Sequence, residues 1–156
     1  MLVATVEDLQ ARWQDVAQSD NKILFVVGGA GSGKSKLLRE LEQTGEWRYI
    51  EAKELLMEKL FEVEHDERPI EARESLVETF RILADKGIII DSVEILFAPI
   101  FNLDPMAIFK DLSRTYPMII GWRGSFDGRV LRLEHNSKKN YFSYEINDPQ
   151  CVLTLD

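Results

Sequence analysis

The eight residues Gly28-Gly29-Ala30-Gly31-Ser32-Gly33-Lys34-Ser35 constrain this chain more than any other stretch in it. They fit the spacing G-x-x-x-x-G-K-[ST]. Gly28, Gly31 and Gly33 allow backbone conformations closed to other residues and let main-chain N–H groups approach an anion. Ahead of them, Ile23-Leu24-Phe25-Val26-Val27 is apolar and partly β-branched, as a buried strand should be; behind them, Leu37, Leu38 and Leu41 recur at helical spacing. A strand, a phosphate-binding loop and a helix are predicted in that order, with the positive end of the helix turned to the anion. A glycine-rich turn with an incidental lysine would require neither the strand nor the amphipathic helix.

The expected ligand is therefore a nucleotide, held by Gly28, Gly29, Ala30, Gly31, Ser32, Gly33, Lys34, Ser35 and Lys36. Lys34 would bridge the outer phosphates, and the Ser35 hydroxyl would hold Mg²⁺.

At 156 residues and 45% hydrophobic content the chain is expected to form a single domain, residues 1–156. Its net charge of −8, with no basic run, opposes direct binding to nucleic acid. Cys151 is the only cysteine, so no internal disulfide is expected, and His65 and His135 lack a metal-ligand pattern. The expected metal is Mg²⁺ carried by the nucleotide. No stretch resembles a membrane span or a secretory leader, and a cytoplasmic location is the expectation.

Val6, Leu9, Trp13 and Val16 predict a helix within residues 1–20 that packs on the core, capped by Thr5 with Glu7 and Asp8 in its first turn. Gly45 ends the loop helix. A strand at Trp47 to Glu51 follows, then a helix over residues 52–61, an acidic loop at 62–68, and a helix from Pro69 carrying Leu76, Phe80 and Leu83.

Gly87-Ile88-Ile89-Ile90-Asp91 predicts a buried strand that delivers a carboxylate to the carboxyl end of the sheet, where open α/β folds bind ligands. Asp91 is thus the second candidate Mg²⁺ residue, the Walker B aspartate; the competing role is a cap for a helix starting at Val93. Many ATPases carry a water-polarising glutamate directly after that aspartate. Ser92 stands there instead, so Glu94, one helical turn on, is the candidate, against a plain first-turn acid.

Asp104-Pro105 predicts a helix reaching Arg114, and Met118 to Gly124 another buried strand. Arg123, just past its apolar part, is the candidate sensor of the terminal phosphate, in its own subunit or across an interface; the alternative is an ordinary surface ion pair. Arg114 is a weaker candidate of the same kind. Residues 125–156 predict a C-terminal antiparallel β extension of a mainly parallel sheet: a turn at Asp127-Gly128, a strand from Arg129 to Glu134, alternation of Phe142, Tyr144 and Ile146, and a final edge from Val152 to Leu155. The same extension is a candidate surface for a second copy or a partner.

Together these predict a three-layer α/β core in which a strand lies between those bearing Gly28 and Asp91. That order resembles the additional-strand P-loop NTPases, including AAA+ and RecA-like cores. No Asn-Lys-x-Asp guanine-reading motif follows the loop, so ATP is expected rather than GTP, and no AAA+ helical lid follows the core.

Asp91 to Phe97 (Asp-x-x-Glu-Ile-Leu-Phe), Asp104-Pro105, Leu112-Ser113-Arg114 and Gly121-Trp122-Arg123-Gly124, set behind an early phosphate loop, resemble the BrxF family, small P-loop proteins of BREX bacteriophage-defence systems. The resemblance covers nearly the whole chain, although only the phosphate loop is highly specific. It implies a bacterial cytoplasmic component of a multi-subunit complex with a larger AAA+ ATPase, a methyltransferase and a phosphatase-like protein. A minimal Mg-ATPase completed by assembly, with Lys34, Asp91, Glu94 and Arg123 as its catalytic set, is the first expectation. A nucleotide-gated adaptor with little hydrolysis is the second. A small-molecule kinase is the third, and the acidic stretch from 51 to 73 argues against it.

Overall fold

The apolar runs of the sequence form strands because their side chains are covered from both sides. In β1 (Ile23–Gly28) every residue is buried, and in β3 (Gly87–Asp91) all but the first. In the computed structural model, residues 5–55, 86–101, 103–135 and 138–155 are described, together with 74, 77, 78, 81 and 82, which are helical. The acidic loop at 62–68, most of the helix expected from Ala52, and Leu76, Phe80 and Leu83 lie outside the described residues.

The other strands are β2 (Trp47–Glu51), β4 (Met118–Phe126), β5 (Val130–His135), β6 (Lys138–Glu145) and β7 (Val152–Thr154). Among the described residues these strands and β1 and β3 form one seven-stranded sheet with the path β2-β3-β4-β1-β7, while β5 and β6 extend it from β4. All neighbours on that path run parallel. β4 therefore lies between the strand that ends in Gly28 and the strand that ends in Asp91.

Helices lie against both faces of this sheet, as the split of the core requires. Leu24, Val26, Ile89 and Ile119 face helix α1 (Val6–Val16) and helix α2 (Lys34–Glu42), through Leu9, Val16, Leu37, Leu38 and Leu41. Phe25, Ile88, Ile90 and Ile120 face the other way, toward helix α3 (Pro105–Leu112) with Met106, Ile108, Phe109 and Leu112. Successive strand residues alternate between the two clusters, as the pleat dictates. The chain is thus a mixed α/β protein with a mostly parallel sheet flanked by helices.

The caps follow the sequence. Thr5 and Asp8 form a reciprocal capping box, with the Asp8 N–H donating to Thr5 Oγ1 at 3.2 Å and the Thr5 N–H to Asp8 Oδ2 at 2.9 Å. Asp104 caps α3 by accepting from the Ala107 N–H at 3.2 Å. That helix ends at Leu112, short of Arg114, with Ser113 as its C-cap.

Two expectations change. Where a helix is predicted from Ala52, the described residues Ala52–Leu55 form a 3-10 turn. The C-terminal region is only partly antiparallel: β4 pairs antiparallel with β5, and β5 with β6, but β7 runs parallel to β1 through Phe25↔Val152 and Val27↔Thr154. The 3-10 turn Pro149–Cys151, capped by Asp148, precedes this reversal of role. β7 covers an edge of β1 that would otherwise offer unpaired backbone groups.

Trp122 joins the extension to the core. It is fully buried, meets Phe25 and Phe97 edge-on with ring centroids 5.7 Å apart, and donates its indole N–H to the Arg132 carbonyl at 2.9 Å. The next residue along the strand, Arg123, is thereby held at the sheet's carboxyl end.

Candidate functional site

The parallel strands end together. Their register pairs Gly28 with Arg123 and Glu51 with Asp91, so the ends of β1, β2 and β3 and the Arg123 position of β4 define one edge. The glycine-rich loop leaves β1 at that edge and turns into α2. Gly31 and Gly33 are left-handed, with φ of 78° and 86°, which only glycine adopts at little cost. Gly28 serves differently: its φ is not positive, and a Cβ there would collide with the Ser32 hydroxyl. No side chain caps α2, so its leading N–H groups are left for another acceptor.

Around this loop lies a cavity of about 300 Å³, lined by residues 29–36 with Ser92, Glu94 and Arg123. Every expected loop residue from Gly29 to Lys36 borders it. An anion within it would meet main-chain amides and the positive helix end together.

Asp91 lies beneath the loop and is fully buried. Its Oδ1 accepts from Lys34 Nζ at 2.7 Å and from the Ser92 N–H at 2.9 Å; its Oδ2 accepts from Ser35 Oγ and from the Tyr49 hydroxyl, both at 2.6 Å. Burial pushes this carboxyl up, but the Lys34 ammonium and the hydrogen bonds from Lys34, Ser35 and Tyr49 outweigh it and hold the group below the usual carboxylate range. Asp91 closes a strand and binds loop side chains, so the alternative role as a cap for a Val93 helix is not the one realised. The segment Val93–Phe97 is a 3-10 turn preceded by Ser92.

Two site residues were not legible in the sequence. Tyr49 reaches Asp91 from β2, and the Arg39 guanidinium stacks 4.4 Å from its ring centroid. Burial and the Asp91 carboxylate both push its phenol up, keeping it a hydrogen-bond donor. Gly121 stands on β4 beside Asp91, and a Cβ there would strike the Asp91 carboxylate and come within 2.9 Å of Leu38. Finding either requires the strand order β2-β3-β4, which no local motif encodes.

Glu94 borders the cavity and is partly buried, with an Oε1 that has no hydrogen-bond partner among the described residues. Burial pushes its carboxyl up, against the pull of Lys34 and Arg123. Ser92, between the two acids, is the one non-glycine residue with positive φ among those described, at 58°, a strained conformation of the kind found at functional sites. Arg123 borders the cavity too, yet its guanidinium lies 3.7 Å from Glu134, so the sensor position and the surface ion pair are both present. Arg114 follows α3 beside Ser113, whose carbonyl binds the Lys22 N–H ahead of β1. It belongs to the amino end of the sheet, away from the cavity, and takes no part in the site of its own subunit.

No protein-family model matches the chain, and no curated protein does. The site is therefore read from its geometry. Among the described residues there is no group of three or more His, Cys, Asp or Glu side chains able to hold a metal, and no helix is long and apolar enough to cross a membrane. A divalent ion at the loop would rest on Ser35 and Asp91, hard oxygen donors already 2.6 Å apart, and on oxygens brought by its ligand.

The Tyr49 contact gives a prediction. Tyr49→Phe removes one donor from a buried carboxylate, and a loss of about 1.5 kcal/mol in urea unfolding at pH 7 is expected. Unchanged stability would mean that the phenol contributes nothing to holding Asp91.

Proposed function

We propose that this chain binds Mg-ATP at the glycine-rich loop as an additional-strand P-loop protein and acts as a minimal ATPase. The observation that carries the reading is the convergence of Lys34, Ser35 and Asp91 at the glycine-rich loop, where α2 starts with no side-chain cap. That set has the two oxygen donors a phosphate-bound Mg²⁺ needs and the ammonium that outer phosphates need. Lys34 would exchange Asp91 for the phosphates, leaving Asp91 to help Ser35 hold the ion. The placement of β4 between β1 and β3 supports the additional-strand subclass, and the lack of a guanine-reading motif supports ATP. Glu94 is the candidate base for the attacking water, and Arg123 the candidate stabiliser of charge on the terminal phosphate.

The setting is proposed from the resemblance of the sequence to the BrxF family alone: a cytoplasmic component of a bacterial BREX-like phage-defence complex. Its partners there would be proteins, a larger AAA+ ATPase or a second copy of this chain among them, with no direct contact to nucleic acid. A nucleotide-gated adaptor is the second reading. It is favoured by the commitment of Arg123 to Glu134 and by the place of Glu94, three residues past Asp91 on a 3-10 turn.

The test measures the Mg-ATP shift in melting temperature and phosphate release across protein concentration. Turnover per molecule is expected to rise as subunits associate. Arg123→Ala is expected to lower it about tenfold, the modest figure suiting a half-exposed cation screened by solvent. A clear thermal shift with release at background throughout would select the adaptor.

A further inference from the structure

The phosphate cradle has a larger neighbour. A second cavity of about 680 Å³ shares Ser92 and Glu94 with it and extends to the hairpin of β5 and β6. Its size falls in the range of small-molecule sites, roughly 300–1,000 Å³, and far exceeds the roughly 30 Å³ that one water occupies in the liquid. A hydrolytic site needs no such space.

The lining indicates what would fit. Lys53 enters from the turn after β2, and His135, Lys138 and Tyr141 from the hairpin, while Ile95 and Pro99 supply apolar wall. Glu51 lies 3.4 Å from Lys53 and balances that charge. The lining sets two lysines, Lys53 and Lys138, against two glutamates, Glu51 and Glu94, and with Lys53 paired to Glu51 its cationic end is at Lys138 beside His135, away from Glu94, where an anion is best placed. The His135–Tyr141 ring pair, with centroids 5.1 Å apart and planes tilted by 43°, adds an aromatic part to the wall. At the boundary with the cradle stands Glu94, whose Oε1 has no hydrogen-bond partner among the described residues.

We propose that this cavity is an acceptor site, holding a small hydroxyl-bearing organic anion whose hydroxyl lies against Glu94 and whose negative group lies among Lys53, His135 and Lys138. This rests on the Mg-ATP reading and names the destination of the terminal phosphoryl group. The acceptor oxygen forms a bond to the γ-phosphorus as its proton passes to the Glu94 carboxylate. The bond from that phosphorus to the β,γ-bridging oxygen breaks, and its electron pair leaves with ADP. The products are ADP and a phosphate monoester, with one proton released from Glu94 to water. Water admitted to the same place gives ADP and inorganic phosphate, the turnover of the proposed ATPase. The acidic stretch that argues against a kinase in the sequence does not decide the matter, because Lys138 and His135 come from the hairpin, far along the chain.

The test incubates the full chain with Mg-ATP labelled in the γ-phosphate. The acceptors are D-glycerate, shikimate and pantothenate, alongside the low-molecular-mass fraction of a bacterial extract. Label is expected in an organic product from which alkaline phosphatase releases it, and Lys138→Ala and Lys53→Ala are each expected to lower its formation about tenfold. Both lysines are exposed, and ligand-free melting temperatures verify that the variants fold. If Mg-ATP raises the melting temperature of the unsubstituted protein but all label leaves as inorganic phosphate with every acceptor, the acceptor site is overturned and the nucleotide site stands. If Mg-ATP gives no shift, both fall together.

Discussion

Replacing Lys34 with alanine is expected to abolish the stabilisation that Mg-ATP gives and, in the ligand-free protein, to cost about 3 kcal/mol, the lower end for breaking a buried ion pair. The two effects share an origin. Lys34 is the ammonium proposed to reach the outer phosphates, and it is also the countercharge of a fully buried carboxylate, with only 11% of its own side chain exposed. Ser35, Tyr49 and the Ser92 N–H still donate to Asp91 in the variant, which keeps the cost at the lower end.

The pH dependence separates the two roles. In the wild type the Asp91 carboxyl sits below its unfolded value, about 3.9. Its contribution is therefore fully present above that value and is lost as pH falls through the lower, folded one. Without Lys34, burial dominates and raises the folded value, so the variant's deficit should be largest near neutrality and shrink on acidification. Urea unfolding at several pH values, with and without Mg-ATP, reads both effects. A variant that keeps the wild-type thermal shift would remove the basis for the nucleotide site.

Such a pair was legible in the sequence only in part. The loop, its strand and its helix lie in one contiguous stretch, so local spacing declares them. Asp91 was legible as the polar end of an apolar run. That Lys34 and Asp91 touch is a matter of sheet order, set by which strands can bury their faces together, with β1 and β3 running parallel on either side of β4 and ending at one edge. Tyr49 and Gly121 are silent in sequence for the same reason: one looks like an ordinary strand aromatic and the other like an ordinary strand glycine until their neighbours are known. The parallel placement of β7 was hidden because a short strand with alternating residues fits either direction, and the edge of β1 decides it. The second cavity draws its walls from β2, the turn after β3 and the hairpin, three separated stretches whose charges cannot be summed along the chain.

Glu94→Gln is expected to move activity and stability in opposite directions. As the proposed base, Glu94 takes a proton from the attacking oxygen, and an amide cannot, so phosphoryl cleavage should fall by about a hundredfold. The same change removes a partly buried carboxylate with one oxygen that has no partner among the described residues, and an uncharged amide is less costly to bury. The ligand-free variant should therefore melt higher than wild type at pH 7. Because burial raises the Glu94 carboxyl above its unfolded value of about 4.3, the folded state holds its proton more tightly between the two values, and wild-type stability falls as pH rises through that window. The slope is opposite in sign to that from Asp91 and lies at higher pH, so one titration of stability resolves both groups. In Glu94→Gln the upper slope should vanish while the lower one persists. A variant that loses turnover together with stability would make Glu94 a structural residue, and one that keeps full turnover would leave the attacking oxygen to another base.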